Sequence, residues 1–313
     1  MASILNTLGA VAEARQYGKE WHVVLYTDSI TAICRVEWIE AVKALVEALH
    51  KNEIISGVKK DELLEELAAG PNVVKIAGVK MNVTAAKDGK SERLVIRYTP
   101  RSVEAFEAAV KALKEAGFEE GIHFTTRRPE EGEKGDKKPG IIRLKVRAGL
   151  WKLEELRRQG VGWTAEAVDK LEEIARARGF YDLLEEYLRP AREAETFDPR
   201  GMVAEDPERG IKAVVKDVWV QWEGGRPRVV VEYEANGKAK KYSFIWGVVT
   251  GGRVSVKVRL DEERDAVLAA LTGDGSLRGK EHVTLTAKHL LAMAKIKGVG
   301  WQLLRWYAEV RGE

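Results

Sequence analysis

The chain is poor in several residue types, and each shortage removes a class of protein. A single cysteine, Cys34, in 313 residues allows no internal disulfide. That excludes a disulfide-stapled secreted scaffold and leaves a buried, inert thiol as its expected role. Eight prolines and a 45% hydrophobic content exclude collagen-like and disordered chains. Five asparagines and four glutamines stand against 52 Lys+Arg and 49 Asp+Glu. Sparing use of thermolabile amides, with dense charge of both signs, is the balance of proteins from very hot environments. No run approaches the ~18 apolar residues of a membrane span, and the first residues lack the basic and long apolar regions of a secretory signal. A cytoplasmic protein with no membrane partner is expected. A formal net charge of +3 creates no global field for nucleic acid, so such a partner would have to be met by local basic faces. Walker A, dinucleotide and nucleophile-elbow signatures are missing, and His22, His50, His123, His282 and His289 show no metal-ligand spacing. This speaks against a kinase or an oxidoreductase, and no cofactor is expected.

The patterns that are present predict an α+β fold of two domains, each an antiparallel sheet with helices on one side. Residues 21–29 read as a strand closed by a polar turn containing Asp28. Ile39, Val42, Leu45, Val46 and Leu49 share one helical face. A second helix spans KKDELLEELAAG, and strands flank Asp88-Gly89, a hairpin signal. A helix capped by Ser102 and stopped by Gly117 follows. Residues 127–140 carry no apolar side chain except proline and read as a mobile loop. After a strand at IIRLKVR come three helices. Pro199, Gly201, Pro207 and Gly210 then punctuate the chain, so the domains are expected at 1–198 and 208–313. The second should open with a meander of four strands: IKAVVKDVWVQW, RVVVEYEA, KAKKYSFIW and RVSVKVRL. Asn236-Gly237 fixes its register, Val231 opposite Tyr242 and Glu232 opposite Lys241. The string Gly-Val-Gly-Trp occurs at 160–163 and again at 298–301, each time between two predicted helices.

Two strands alternate cations with apolar residues. Arg143, Lys145 and Arg147 share one face of IIRLKVR; Arg253, Lys257 and Arg259 share one face of RVSVKVRL. Such faces suit the phosphates of DNA or RNA, whose binding releases counterions. They equally suit a solvated sheet surface whose cations pair with neighbouring glutamates. A structural or protein-interaction role, or a homodimer, would instead need an exposed apolar patch, for which Trp301, Trp306 and Tyr307 are the candidates.

VLAALTGDGSL, residues 267–277, resembles the motif of the LAGLIDADG homing endonucleases, in which a helix ends in an acidic residue and glycine. The resemblance implies Asp274 as a ligand to Mg²⁺, with Gly275 at the turn and Ala269 at a helix contact. Thr272 replaces the family's first aspartate, and no second copy occurs in the chain, whereas clamping a phosphodiester needs two carboxylates. Only a dimer could supply the other, so a degenerate or dimeric endonuclease is the alternative, and a helix C-cap at TGDGS the structural reading. Residues 60–160 follow the element order of one homing-endonuclease half, although the helix there ends without an acid.

Taken together, FYDLLEEYLRPAREAETFDPRG, RGIKAVVKDV, RPRVVVEYEA, VLAALTGDGSL and TAKHLLAMAKIKGVGWQLLRWYAEV look like the PaRep proteins, a repetitive family of hyperthermophilic crenarchaea, over about Trp21 to Val310. The resemblance implies an archaeal, mobile-element or repeat-associated protein, and it transfers no catalytic residue. The function expected is therefore non-catalytic association with nucleic acid.

Overall fold

The computed structural model describes residues 12–17, 20–25, 39–68, 72–88, 91–100, 102–131, 137–260 and 263–311. Cys34 and Asp28 lie outside them. The chain opens with a hairpin of β1 (Ala12–Tyr17) and β2 (Glu20–Leu25), followed by α1 (Ile39–Lys51) and α2 (Gly57–Ala68). The apolar stripe of α1 buries Val42 and Val46. β3 (Val73–Ile76) and β4 (Val79–Asp88) form a tight hairpin, because Ala77 and Gly78 both take positive φ, 50° and 81°. β5 (Ser91–Tyr98) follows, then α3 (Val103–Glu115). Ser102 caps α3 by accepting the Ala105 N–H at 3.1 Å. Phe106, Ala109 and Leu113 form the buried stripe of α3, and Gly117 ends the segment at φ 86°.

β6 (Phe124–Arg127), β7 (Glu130–Glu131), β8 (Lys137–Lys138) and β9 (Ile141–Leu144) come next. Within the stretch expected as a loop, 127–140, Glu130–Glu131 and Lys137–Lys138 pair instead as a short ladder, and 132–136 lie outside the described residues. β3, β4, β5, β9 and β6 lie in that order in one sheet. The strand expected over IIRLKVR stops at Leu144, and α4 (Val146–Arg158) begins at once, with Lys145 as its N-cap. The cause is packing: a Cβ on Gly149 would sit 2.3 Å from Leu144 Cγ, so this glycine lets the first turn of α4 lie against the strand end. Lys145 and Arg147 therefore leave the face that Arg143 occupies. α5 (Gly162–Ala177) and α6 (Tyr181–Arg192) complete the helical run.

The punctuated stretch after α6 contains a strand, β10 (Val203–Asp206), whose side chains alternate exposed and buried. It pairs with β11 (Ile211–Glu223), which pairs with β12 (Arg226–Ala235), which pairs with β13 (Lys238–Ile245). Val231 opposes Tyr242 and Glu232 opposes Lys241, as the Asn236-Gly237 turn requires. Val229, Val231 and Tyr233 are buried together. The expected fourth meander strand is elsewhere. After the fully buried Trp246 the chain turns through β14 (Gly247–Val249), and Gly251 and Gly252, at φ 83° and 70°, fold it back into β15 (Arg253–Arg259). α7 (Arg264–Thr272) ends at Gly273 in the left-handed region. β16 (His282–Thr286) closes a separate sheet of order β14-β15-β16, and α8 (Ala287–Met293) and α9 (Gly300–Arg311) finish the chain.

The chain is α+β, with antiparallel pairing throughout the named ladders. Its contacts separate two units, Met1–Val95 with Glu166–Leu184, and Ile96–Ala165 with Glu185–Glu313. The stretch between the two expected domains, residues 199–207, lies inside the second unit, whose core joins Trp151 and Ala194 to Tyr233, Trp246, Leu285 and Trp306. Among the described residues no helix is long and apolar enough to cross a membrane.

Candidate nucleic-acid interface

β15 sorts its side chains by period two. Val254 and Val258 are buried, while Arg253, Lys257 and Arg259 point out from the opposite face and are exposed. Cross-strand partners complete that face: Val249 opposite Arg253, Thr286 opposite Ser255, Thr284 opposite Lys257 and His282 opposite Arg259. None of these is acidic, and among the described residues no carboxylate pairs with Arg253, Lys257 or Arg259.

The neighbouring four-stranded sheet behaves differently. There Lys216 meets Glu234 at 2.7 Å, Lys212 meets Glu205 at 3.0 Å, and Arg228 pairs with Glu223. Lys241 lies 4.5 Å above the Trp219 ring. That surface is the ion-paired, solvated kind; the β15 face keeps its charge.

Arg143 sits in a second basic setting. It is exposed on β9, directly between Arg97 on β5 and Thr125 on β6, with Arg127 at the end of β6. Opposed like charges disfavour strand pairing, yet among the described residues none of the three arginines has an acidic partner. Arg97 and Arg127 escape a reading that takes one strand at a time, although the alternation in ERLVIRY is visible. The other two expected cations are committed elsewhere. Lys145 donates to the Gly121 carbonyl at 2.5 Å, and Arg147 lies 5.4 Å from the Tyr187 ring centroid and 4.0 Å from Glu186.

Asp274 follows the α7 cap and itself caps a single 3-10 turn, Gly275–Leu277. Its Oδ1 accepts the Ser276 N–H at 3.0 Å and the Ser276 hydroxyl at 2.6 Å. Its Oδ2 accepts Lys288 Nζ at 2.7 Å and His289 Nε2 at 3.1 Å. His289 Nδ1 accepts the Thr286 N–H at 2.9 Å, so its proton resides on Nε2. Lys288, then Ser276 and His289, hold the carboxyl well below the usual carboxylate range. Both oxygens are thus engaged within the protein, and among the described residues no group of three His, Cys, Asp or Glu could hold a metal ion. A depressed carboxyl pKa stabilises the fold above the unfolded value and ceases to as protons bind. Asp274→Asn should therefore lower the melting temperature at pH 7, and the gap from the parent should close as pH falls below about 4. A gap that persisted in acid would assign the loss to shape instead of charge.

Trp306 and Tyr307 are buried and Trp301 is half-buried, so the apolar patch that a protein-docking role would need is not formed by these residues. They belong to the second unit's core, beside a cavity of about 200 Å³ lined by Trp151, Lys152, His123 and Arg305. Its cations are already paired, Arg305 with Glu119 at 3.0 Å and Lys152 with Glu155 at 2.8 Å. His123, 7% exposed, accepts the Glu119 N–H at 2.8 Å. Burial, reinforced by Lys152, Arg305 and Lys145, pushes its pKa down to about 4.

Fold and surface together define an α+β protein in which two of the sheets present basic faces without acidic partners among the described residues. The chain belongs to the PaRep2b protein family, which matches it over residues 1–135 and 136–311. No curated protein and no solved structure matches it.

Proposed function

We propose that this repetitive-family protein binds nucleic acid without catalysis, working in the cytoplasm of a hyperthermophile. The observation that carries the reading is the β15 face: Arg253, Lys257 and Arg259 exposed together, beside hydroxyls and an imidazole, with no acidic partner among the described residues. The Arg97–Arg143 opposition adds a second basic face on another sheet. Chains rarely leave like charges side by side without a use, because local conflicts of this kind cluster at functional sites. Asp274, its carboxylate filled by four donors, supports a reading without cleavage.

The test is fluorescence anisotropy of labelled oligonucleotides across a salt series. Affinity should fall steeply with salt, and the triple variant R253E/K257E/R259E should bind more weakly and flatten the log–log slope by about 0.9 for each lost phosphate contact. Salt-independent binding, or an unchanged slope in the variant, would remove this function from the face.

A further inference from the structure

We infer that the nucleic acid taken by the β15 face is duplex DNA, held through phosphates on both banks of a groove. This rests on the nucleic-acid reading above and goes beyond it by naming the substrate.

Two observations carry the inference. The first is the chemistry of the face. Between and around its cations stand Ser255, Thr284 and Thr286, and hydroxyls with Arg and Lys are the side chains that contact phosphate and sugar. No Phe, Tyr or Trp stands on it. Single strands are held largely by bases stacking on aromatic rings, and the aromatic side chains nearby in sequence are buried instead: Tyr242, Phe244 and Trp246 pack with Tyr233 in the core.

The second observation is spacing. Same-face side chains recur every ~6.6 Å along a strand, so Lys257 and Arg259 are neighbours while Arg253 stands ~13 Å from Lys257. That gap, occupied by the uncharged Ser255, is close to the ~12 Å width of the B-DNA major groove. Arg253 can therefore reach one bank while Lys257 and Arg259 reach the other. A single strand has no second bank, and A-form RNA narrows the groove.

The intact chain should be titrated against a labelled DNA duplex, either of its single strands and a duplex RNA of the same sequence, at one salt concentration. Duplex DNA should bind about tenfold more tightly than the other two. Arg253→Glu should weaken duplex binding several-fold and single-strand binding by clearly less, and Arg253→Lys should retain duplex binding. Arg253 is exposed, so the fold should survive, and circular dichroism checks this. Preference for single strands or RNA, or an equal effect of Arg253→Glu on single and double strands, would overturn this inference and leave the nucleic-acid reading standing. Failure to bind any of the three would end both.

Discussion

Gly300→Ala should destabilise the protein by about 3 kcal/mol, whereas Gly162→Ala, at the matching position of the repeated Gly-Val-Gly-Trp string, should be neutral or stabilising by up to about 1 kcal/mol. The first glycine acts alike in both copies, since Gly160 and Gly298 take φ of 80° and 74° and so end the preceding helix. The copies differ at the second glycine. A Cβ on Gly162 meets nothing within 4 Å, but one on Gly300 falls 2.1 Å from the Ala294 carbonyl oxygen and 2.8 Å from Glu195 Cγ. That carbonyl also accepts the Glu195 N–H at 3.0 Å. The same segment is tied again by Phe197, whose N–H bonds Lys295 O at 2.8 Å and whose carbonyl accepts from Lys297 at 2.9 Å. A methyl at Gly300 must displace backbone held from two sides, with Ala294 and Val299 fully buried beside it. Urea unfolding of both variants decides the matter: equal effects would mean that the string is conformational only, and that packing at α9 plays no part.

The contrast shows where sequence pattern stops being informative. A positive-φ glycine at a helix end is a local property and can be read from spacing, as can the Ser102 cap and the Asn236-Gly237 register. The need for glycine at position 300 comes from a carbonyl of the preceding helix and a side chain 105 positions earlier in the chain, Glu195. The same limit explains IIRLKVR. Its alternation runs on to Arg147, so pattern alone extends the strand, whereas the chain enters α4 at Val146 and Gly149 lets that first turn lie against Leu144. β15 was legible as a strand with a basic face. Its partners were not: β16 follows after α7, and a strand's period does not say which sheet it joins. The quality that makes that face a candidate interface is the identity of its cross-strand neighbours. Thr284, Thr286 and His282 could have been glutamates without altering the pattern of β15 itself. Asp274 was visible as an acid after a helix end, but Lys288 and His289, which turn it from a candidate metal ligand into an ion-paired cap, arrive from α8.

Asp265→Ala should be costly, at about 2–3 kcal/mol. Asp265 is 1% exposed on the first turn of α7. Its Oδ2 accepts Arg209 Nη2 at 2.6 Å and the Gly279 N–H at 2.5 Å, and its Oδ1 accepts the Ala266 N–H at 2.6 Å. Arg209 in turn donates from Nε to Asp206 at 2.7 Å. One carboxylate thereby joins the turn after β10, the start of α7 and the loop that leads into β16. Truncation leaves the N–H of the fully buried Ala266 without that acceptor and takes one anchor each from Gly279 and from Arg209, which are exposed, Arg209 keeping Asp206; an unmet buried donor retains its desolvation penalty. Asp265→Asn should do little better, because its amide turns N–H groups toward donors. The exposed pair Lys212–Glu205, with side chains 67% and 51% exposed, is the control: Glu205→Ala should fall within about 0.5 kcal/mol of the parent. If both changes cost the same, burial is not what gives ion pairs their weight in this charge-rich chain. If Asp265 alone matters, the loop before β16 should loosen first, since Gly279 loses its anchor three residues ahead of His282. β16 carries His282, Thr284 and Thr286 onto the basic face, so hydrogen exchange in that strand should rise in Asp265→Ala at temperatures where the chain is still folded.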